Sequence, residues 1–401
     1  MILAQQALQI ILRHTNVRLK EDCNFLASLG RTLAQDVKSK NDLPAFDRSL
    51  RDGFALRSVD TRNANPKNPL CFRLIDTVFA GKPSRKRIGP KEAIRIMTGG
   101  VIPKGADAVI MKEDTRLEGQ QVNILESVKK KENIAFQGED IKKNKTIIPE
   151  GTVIHPGIIS LLACLGQAHV RVFRKPTVAI LATGNELIGL KKKPKQGQVR
   201  SSNQYALFAQ ILQCGAQPII LGIAKDSPQE LIKKIKQGLK SDMLLVSGGV
   251  SVGESDFVPL VLKQLKARIV FHKVAIKPGK PLLFAHLGKT LIFGLPGNPA
   301  STMVSFNKFV RPCLAKMSGQ KSFCEKSAQA ILAQDVHEEK ERRKVMRGLA
   351  FEKNGQLYVR LAHHQGSGNI LSMAGGNCLF EIKEGVRELS KGTRVKITYL
   401  W

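Results

Sequence analysis

No apolar run in the chain reaches the roughly 18 residues that a bilayer-spanning helix requires, so no helical membrane span is expected. Paired cysteines are missing as well. Cys23, Cys71, Cys164, Cys214, Cys313, Cys324 and Cys378 are odd in number, scattered, and never spaced CxxC. In a chain of 401 residues that pattern argues against a disulfide scaffold or a zinc site and for free thiols in a reducing cytoplasm. The histidines lack metal-ligand spacing, and His363 and His364 are adjacent, so on a strand they point to opposite faces. Aromatic residues are only 5%, too thin for the stacking platforms that single-stranded nucleic acid needs. Internal repeats and long low-complexity segments are absent. The opening stretch "MILAQQALQIILRHT" has no basic n-region and no small-residue cleavage site, so it reads as an amphipathic helix and not as a signal peptide.

Acidic residues are the other scarcity. Asp+Glu number 33 against 64 Lys+Arg, a formal net charge of +31. Such a surface attracts polyanions without selectivity. The basic residues are nevertheless dispersed, in "SRKR" (84–87), "KKK" (129–131), "KKKPK" (191–195), "KKIK" (233–236) and "ERRK" (341–344). With no stripe and few aromatics, a solvated basic surface is the better reading and a nucleic-acid partner is not expected.

The length allows two to four domains. Residues 176–320 alternate buried-strand runs with helical spacing: "TVAILAT", "NQYALFAQILQC", "QPIILGIA", "PQELIKKIKQGLK", "DMLLVS", "SDFVPLVLKQLK" with Ser255 as N-cap, "RIVFHKVA", "PLLFAH", "TLIFGL" and "ASTMVSFNKFVRPCL". That order predicts a doubly wound α/β domain with a mostly parallel sheet. Residues 321–401 predict a small all-β domain, with Asn354-Gly355 as a type I′ hairpin turn. Residues 1–175 are mixed, with helical pattern at both ends and strands between, "TRLEGQQVNILES" among them as a hairpin. A β-rich subdomain at about 43–141 inserted within the N-terminal region accounts for that order.

Ligands of open α/β sheets bind beyond the carboxyl ends of the strands. The strand ends here carry "TGNE" with Thr183, Gly184 and Glu186, then Asp226, then "SGGVSVGESD" with Ser247, Gly248, Gly249, Ser251, Gly253 and Asp256. Two further loops bring "KPGKP" with Lys277 and Lys280, and "LPGNPAS" with Pro296, Gly297, Asn298, Pro299 and Ser301. Carboxylates hold Mg²⁺ through one or two oxygens and leave the rest to water and phosphate. Glycine loops at helix N-termini present N–H groups to phosphate, and lysine adds a point charge. Any one such loop reads equally as a turn, and Asp256 alone as an acid favoured by a helix N-terminus. Five on one rim predict a site for a phosphorylated ligand with Mg²⁺ held by Glu186, Asp226 and Asp256.

The stretches "VSGGVSVGESD", "IKPGKP" and "GLPGNPAS", together with "PAFDRSLRDGFAL" (44–56), "RIMTGGVIPKGADAVIMKED" (95–114) and "GEDI" (138–141), resemble the molybdopterin molybdenumtransferase family, which includes MoeA and the gephyrin E-domain. The ordered set spans nearly the whole chain. The resemblance implies insertion of molybdenum from molybdate into adenylylated molybdopterin with Mg²⁺, releasing AMP. It implies an elongated N-terminal region, a central molybdopterin-binding α/β domain and a C-terminal β-barrel. It places Glu186, Asp226 and Asp256 as the catalytic acids and metal ligands, and Lys277 and Lys280 on phosphate or molybdate oxygens. Arg347 and Ser367 become molybdate ligands from the barrel. Asp52 and Asp140, with Thr98, would complete a neighbour's site, making the protein a homodimer. Transient contact with molybdopterin adenylyltransferase and with molybdoenzymes follows from the same resemblance.

Four positions depart from the family pattern: Arg51, Ala135, Asn185 and Glu341. They keep open an alternative, a catalytically weakened paralogue acting as a binding or scaffold protein on the same fold. Retention of the acids and both lysines favours chemistry.

Overall fold

The computed structural model describes residues 1–250, 256–321, 323, 325–337 and 343–401. The chain forms two compact units, one of Met1–Gln35, Gly151–Ser160 and Ala168–Trp401, the other of Asp36–Glu150 and Leu161–Gln167.

In the first unit, helix α1 (Ala4–Arg13) turns Ala7 and Ile11 into the core. The second unit is built on a six-stranded sheet of β1 (Gly53–Leu56), β2 (Leu70–Val78), β3 (Glu92–Ile96), β4 (Ala108–Met111), β5 (Thr115–Glu118) and β6 (Gln121–Ile124). The spatial order is β4-β1-β3-β2-β6-β5. Both faces of β1 are covered, Phe54 and Leu56 packing with Phe72 and Ile110 on one side, Ala55 with Ile94 and Val109 on the other. The period of two in side-chain direction turns one apolar run into two cores.

The first unit continues with β7 (Thr177–Thr183), α2 (Asn203–Gln213), β8 (Gln217–Ala224), α3 (Pro228–Gly238), β9 (Met243–Ser247), α4 (Val258–Gln264), β10 (Arg268–His272), β11 (Leu283–Leu287), β12 (Thr290–Leu295), α5 (Pro299–Ser305) and α6 (Arg311–Met317). A π-helical segment, Phe306–Val310, joins α5 to α6 and buries Phe306 and Phe309. The sheet order is β8-β7-β9-β12-β11-β10. Its first four strands are parallel, as the βα alternation predicts, while β11 is reversed and pairs antiparallel with both β12 and the edge strand β10. The reason lies in the two residues between Leu287 and Thr290, which pair across the turn and leave no room for a crossover. Along β7, Val178 and Ile180 face a core shared with α1, α2 and α5, while Ala179 and Leu181 face α3 and α4. The helix expected from Ser255 begins instead at Val258, with Pro259 in its first turn and Phe257 at its N-cap; Ser255 lies outside the described residues.

A closed barrel ends the chain: β13 (Ser327–Leu332), β14 (Lys344–Lys353), β15 (Gln356–Leu361), β16 (Cys378–Ile382) and β17 (Arg394–Tyr399), in the order β13-β15-β14-β16-β17. Asn354 and Gly355 have φ of 50° and 71°, the left-handed pair that a type I′ hairpin turn needs. The inner wall is lined by Met346, Phe380 and Ile397. Val345 and Leu379 point the other way, into the core that holds Phe306 and Cys313, so the barrel wall is fastened to the helices after β12.

Candidate active site

In-register strand ends build the first part of the site. Ala182 pairs with Ser247, Ser247 with Leu295, and Thr183 with Ala224, so the chain leaves the sheet at one level. The β8-β7-β9 order makes this the switch point where neighbouring crossovers diverge. A cavity of about 270 Å³ opens there, and Glu186, Asp226 and Asp256 all line it. Asp226 is fixed on both oxygens, by the Thr183 hydroxyl at 2.9 Å and the Asn185 N–H at 3.1 Å. The Asp226 N–H donates back to Asn185 Oδ1 at 3.2 Å, so asparagine at this position closes a ring around the acid. The Glu186 carboxylate lies over Gly184, where a Cβ would come within 2.5 Å of both its oxygens. Gly248 has φ of 99°, and a Cβ there would stand 2.3 Å from the Thr183 carbonyl, so this close approach requires glycine.

Among the described residues, no three His, Cys, Asp or Glu side chains converge as a ready-made metal cage. The expected three-carboxylate cluster is thus a shared lining and not a closed ligand set. Its all-oxygen character still suits Mg²⁺, which binds through one or two carboxylates and keeps water and phosphate as its other ligands. Gly249 lines the same cavity. Ser247 does not: its buried hydroxyl accepts from Asn203 Nδ2 at 2.9 Å and donates to the Pro296 carbonyl at 3.4 Å. Ser251 and Gly253 lie outside the described residues.

Lys277 and Lys280 line a second, larger cavity of about 730 Å³, with Asn298, Ser301 and Ser367. Pro281, Pro296 and Gly297 line both cavities, so the two adjoin across that wall. No described residue lining the larger one is acidic. The rim read as one site from strand order is therefore two compartments of opposite character. Lys277 is tied by its backbone to the barrel: its N–H donates to the Arg343 carbonyl at 3.1 Å and its carbonyl accepts from Val345 at 2.8 Å. Lys344, buried in that ladder, has its pKa lowered by burial and then by the charge of Lys277. Asn298 donates to the Ser367 hydroxyl at 2.9 Å, and the Ala300 N–H to the Ser367 carbonyl at 3.1 Å. Pro299 is the first residue of α5 and does not line the cavity.

Arg347 is 1% exposed and is not among the lining residues. Its Nη2 donates to the Gly366 carbonyl at 2.9 Å and its Nε to Ser372 Oγ at 3.1 Å. Burial brings its pKa down to about 10, which leaves it charged at neutral pH. Arg347 shares the face of β14 that carries Val345, away from the barrel interior, and there its guanidinium holds the loop that carries Ser367 while lying behind the cavity lining.

In the other unit, Asp52 Oδ1 accepts from the Thr98 N–H at 2.7 Å and from its hydroxyl at 2.8 Å. The Thr98 backbone bond, then its hydroxyl, lowers the Asp52 pKa. Asp140 is exposed on a different loop, its N–H donating to the Leu43 carbonyl at 3.1 Å. Ala135 is buried and pairs with Arg48 across a short ladder. Arg51 is exposed; Glu341 lies outside the described residues.

Sequence reading missed Asn203, whose amide reaches Ser247 Oγ, the Gly297 carbonyl at 2.7 Å and Thr302 Oγ1. A polar residue opening α2 at the rim was the available signal. It also missed His337, Gln365 and His364 as walls of the basic cavity. The barrel brings them there from far along the chain.

Comparison with known proteins agrees with this architecture. Residues 2–166 match the MoeA N-terminal region (domain I and II), 179–316 a probable molybdopterin binding domain, and 329–400 the MoeA C-terminal region (domain IV). The chain is 37% identical over 375 residues to the molybdopterin molybdenumtransferase of Bacillus subtilis, covering 92% of this chain and 87% of that one. It is 35% identical over 390 residues to the protein of the same name from Staphylococcus epidermidis, covering 97% and 93%. The crystal structure of the molybdopterin biosynthesis moeA protein from Pyrococcus horikoshii superposes over 100% of both chains with a TM-score of 0.87 at 32% identity.

Proposed function

The chain belongs to the MoeA family and is a transferase of molybdenum cofactor biosynthesis, and from that premise we propose that it inserts molybdenum from molybdate into adenylylated molybdopterin, releasing AMP. The observation that carries this reading is the shared wall: an acidic cavity and a basic one adjoin at Pro281, Pro296 and Gly297. The acidic side suits a pyrophosphate accompanied by Mg²⁺, with Glu186, Asp226 and Asp256 as the residues that would hold the ion. When bound, Mg²⁺ supplies charge neutralisation on the phosphate oxygens. The basic side suits molybdate, drawn by Lys277 and Lys280 and oriented by the fixed donors of the 363–367 loop.

The role of this chain's own residues is positional and electrostatic. Thr183 and Asn185 hold Asp226 in one orientation. The backbone at Gly248 and Gly297 leaves space for phosphate oxygens. Lys277 and Lys280 favour a doubly charged oxyanion in the basic cavity. Under this reading the protein acts as a cytoplasmic homodimer, Asp52, Thr98 and Asp140 of one copy completing the site of the other. It would receive its substrate from molybdopterin adenylyltransferase and pass its product towards molybdoenzymes.

An insertion assay with adenylylated molybdopterin and molybdate tests the reaction. AMP and molybdenum-loaded molybdopterin should form in equal amounts; absence of molybdate-dependent AMP release would refute it. Mixing Asp52→Ala with Asp256→Ala protein tests the dimer. Activity should return once subunits exchange, and silence after demonstrated exchange would mean each site is built within one chain.

A further inference from the structure

His364 is a wall of the basic cavity whose ring is set by the loop that carries it. The Gly366 N–H donates to His364 Nδ1 over 3.1 Å. Only an unprotonated ring nitrogen accepts an N–H, so the neutral imidazole carries its hydrogen on Nε2. The ring also rests against Gly366, where a Cβ would fall 2.9 Å from both Nδ1 and Cε1. The flanking backbone is fastened in turn. Arg347 Nη2 holds the Gly366 carbonyl at 2.9 Å, and Gln365 Nε2 donates to the carbonyls of Ala362 and Arg347, each at 3.0 Å. With Nδ1 committed to the loop, Nε2–H is the polar edge that remains for a ligand.

We propose that His364 is an oxyanion-binding residue of this cavity, presenting Nε2–H as a neutral, directional donor beside Lys277 and Lys280. The proposal rests on the assignment of molybdate to this compartment. The chemistry favours such a donor. The two lysines supply charge but little direction, because an ammonium on a flexible stem rotates freely. A tetrahedral oxyanion is discriminated by donors whose angles are fixed. Ser367 is one: its oxygen accepts from Asn298, which turns its own hydrogen elsewhere. His364 is the second, and it adds a bond without another full charge to desolvate beside Lys277, Lys280 and buried Lys344.

The test is calorimetric titration of molybdate alone into the full-length protein, with melting temperature measured on the same preparations. His364→Ala should weaken molybdate binding by about tenfold, the loss of one hydrogen bond to a charged partner. His364→Gln, whose amide nitrogen reaches the position of Nε2, should restore affinity to within about twofold, whereas His364→Asn, which reaches only Nδ1, should bind like the alanine variant. Wild-type affinity in His364→Ala, with binding lost in a Lys277→Ala/Lys280→Ala control, would overturn the role of His364 and leave the cavity assignment standing. Wild-type affinity in the double-lysine control, or no molybdate binding by the unaltered protein, would overturn both. A lowered melting temperature with equally weak binding in the alanine and glutamine variants would reduce His364 to loop structure and refute the proposal.

Discussion

The acidic and the basic cavity share Pro281, Pro296 and Gly297, yet they are assembled from different materials. The acidic one is made by strand ends of a single sheet, and its glycines and acids follow each strand directly in sequence. The basic one takes one wall from the turn between β10 and β11, a second from the N-terminus of α5, and a third from the barrel and the 363–367 loop. Topology alone sets the first. The second exists only because the barrel is fastened to the core through Val345, Leu379 and the Lys277 ladder. The acidic cavity at the sheet rim is thus assembled locally, while the basic one depends on long-range packing.

The sharpest way to break that division is Asp256→Asn. Removing one key electrostatic group should slow AMP release by about 10²–10³-fold. Molybdate binding, measured by titration, should not move. If molybdate affinity falls in parallel, the cavities are one functional unit. Lys277→Ala is the converse, and should raise the molybdate concentration for half-maximal insertion by about 10–100-fold, as expected for losing a charged hydrogen-bond partner. Its rate of AMP release at saturating molybdate should stay near that of the unaltered protein.

Arg347→Ala probes the long-range support. It leaves the Gly366 carbonyl without its partner and opens a cavity, at a cost of about 2–4 kcal/mol in denaturant-measured stability. Molybdate dependence should shift with it, because Ser367 is carried by that loop. Unchanged stability would contradict the buried geometry. The smallest effect is expected from Asn203→Ala, which releases Gly297 in the common wall. A loss of about 1 kcal/mol, with roughly fivefold declines in both AMP release and molybdate affinity, would show that the wall couples the two compartments. An effect on one alone would show that it does not.

The legibility of the sequence follows the same division. Period-two and βα patterning predicted the central sheet, the Asn354-Gly355 hairpin and an all-β C-terminal domain, because each is a local signal; closure of that domain into a barrel was implied only by the family resemblance. The carboxylates Glu186, Asp226 and Asp256 were readable because the strand-end rule converts sequence order into position. A mostly parallel sheet was expected without saying which strand reverses, although the short connection between Leu287 and Thr290 announces β11. The burial of Arg347 against the 366–372 loop was not readable, because the packing of the outer face of β14 is decided by tertiary structure and no local pattern reports it. His364 and Asn203 went unread as site residues for a related reason: their partners lie in the tertiary structure or in backbone groups that composition does not show. Asn185, met as a departure, pairs with Asp226 through its N–H and its Oδ1, groups that an aspartate also has, so nothing in these bonds explains the substitution.

The central claim is that phosphate chemistry and molybdate capture occupy adjoining but separable compartments. The most direct measurement is a paired titration of molybdate and of adenylylated molybdopterin into Asp256→Asn and into Lys277→Ala/Lys280→Ala protein, with AMP release followed in the same samples. The account predicts a crossed pattern: the acid variant binds molybdate as the unaltered protein does but fails to release AMP, and the lysine variant binds adenylylated molybdopterin but not molybdate. Parallel loss of molybdate binding in both variants would contradict it.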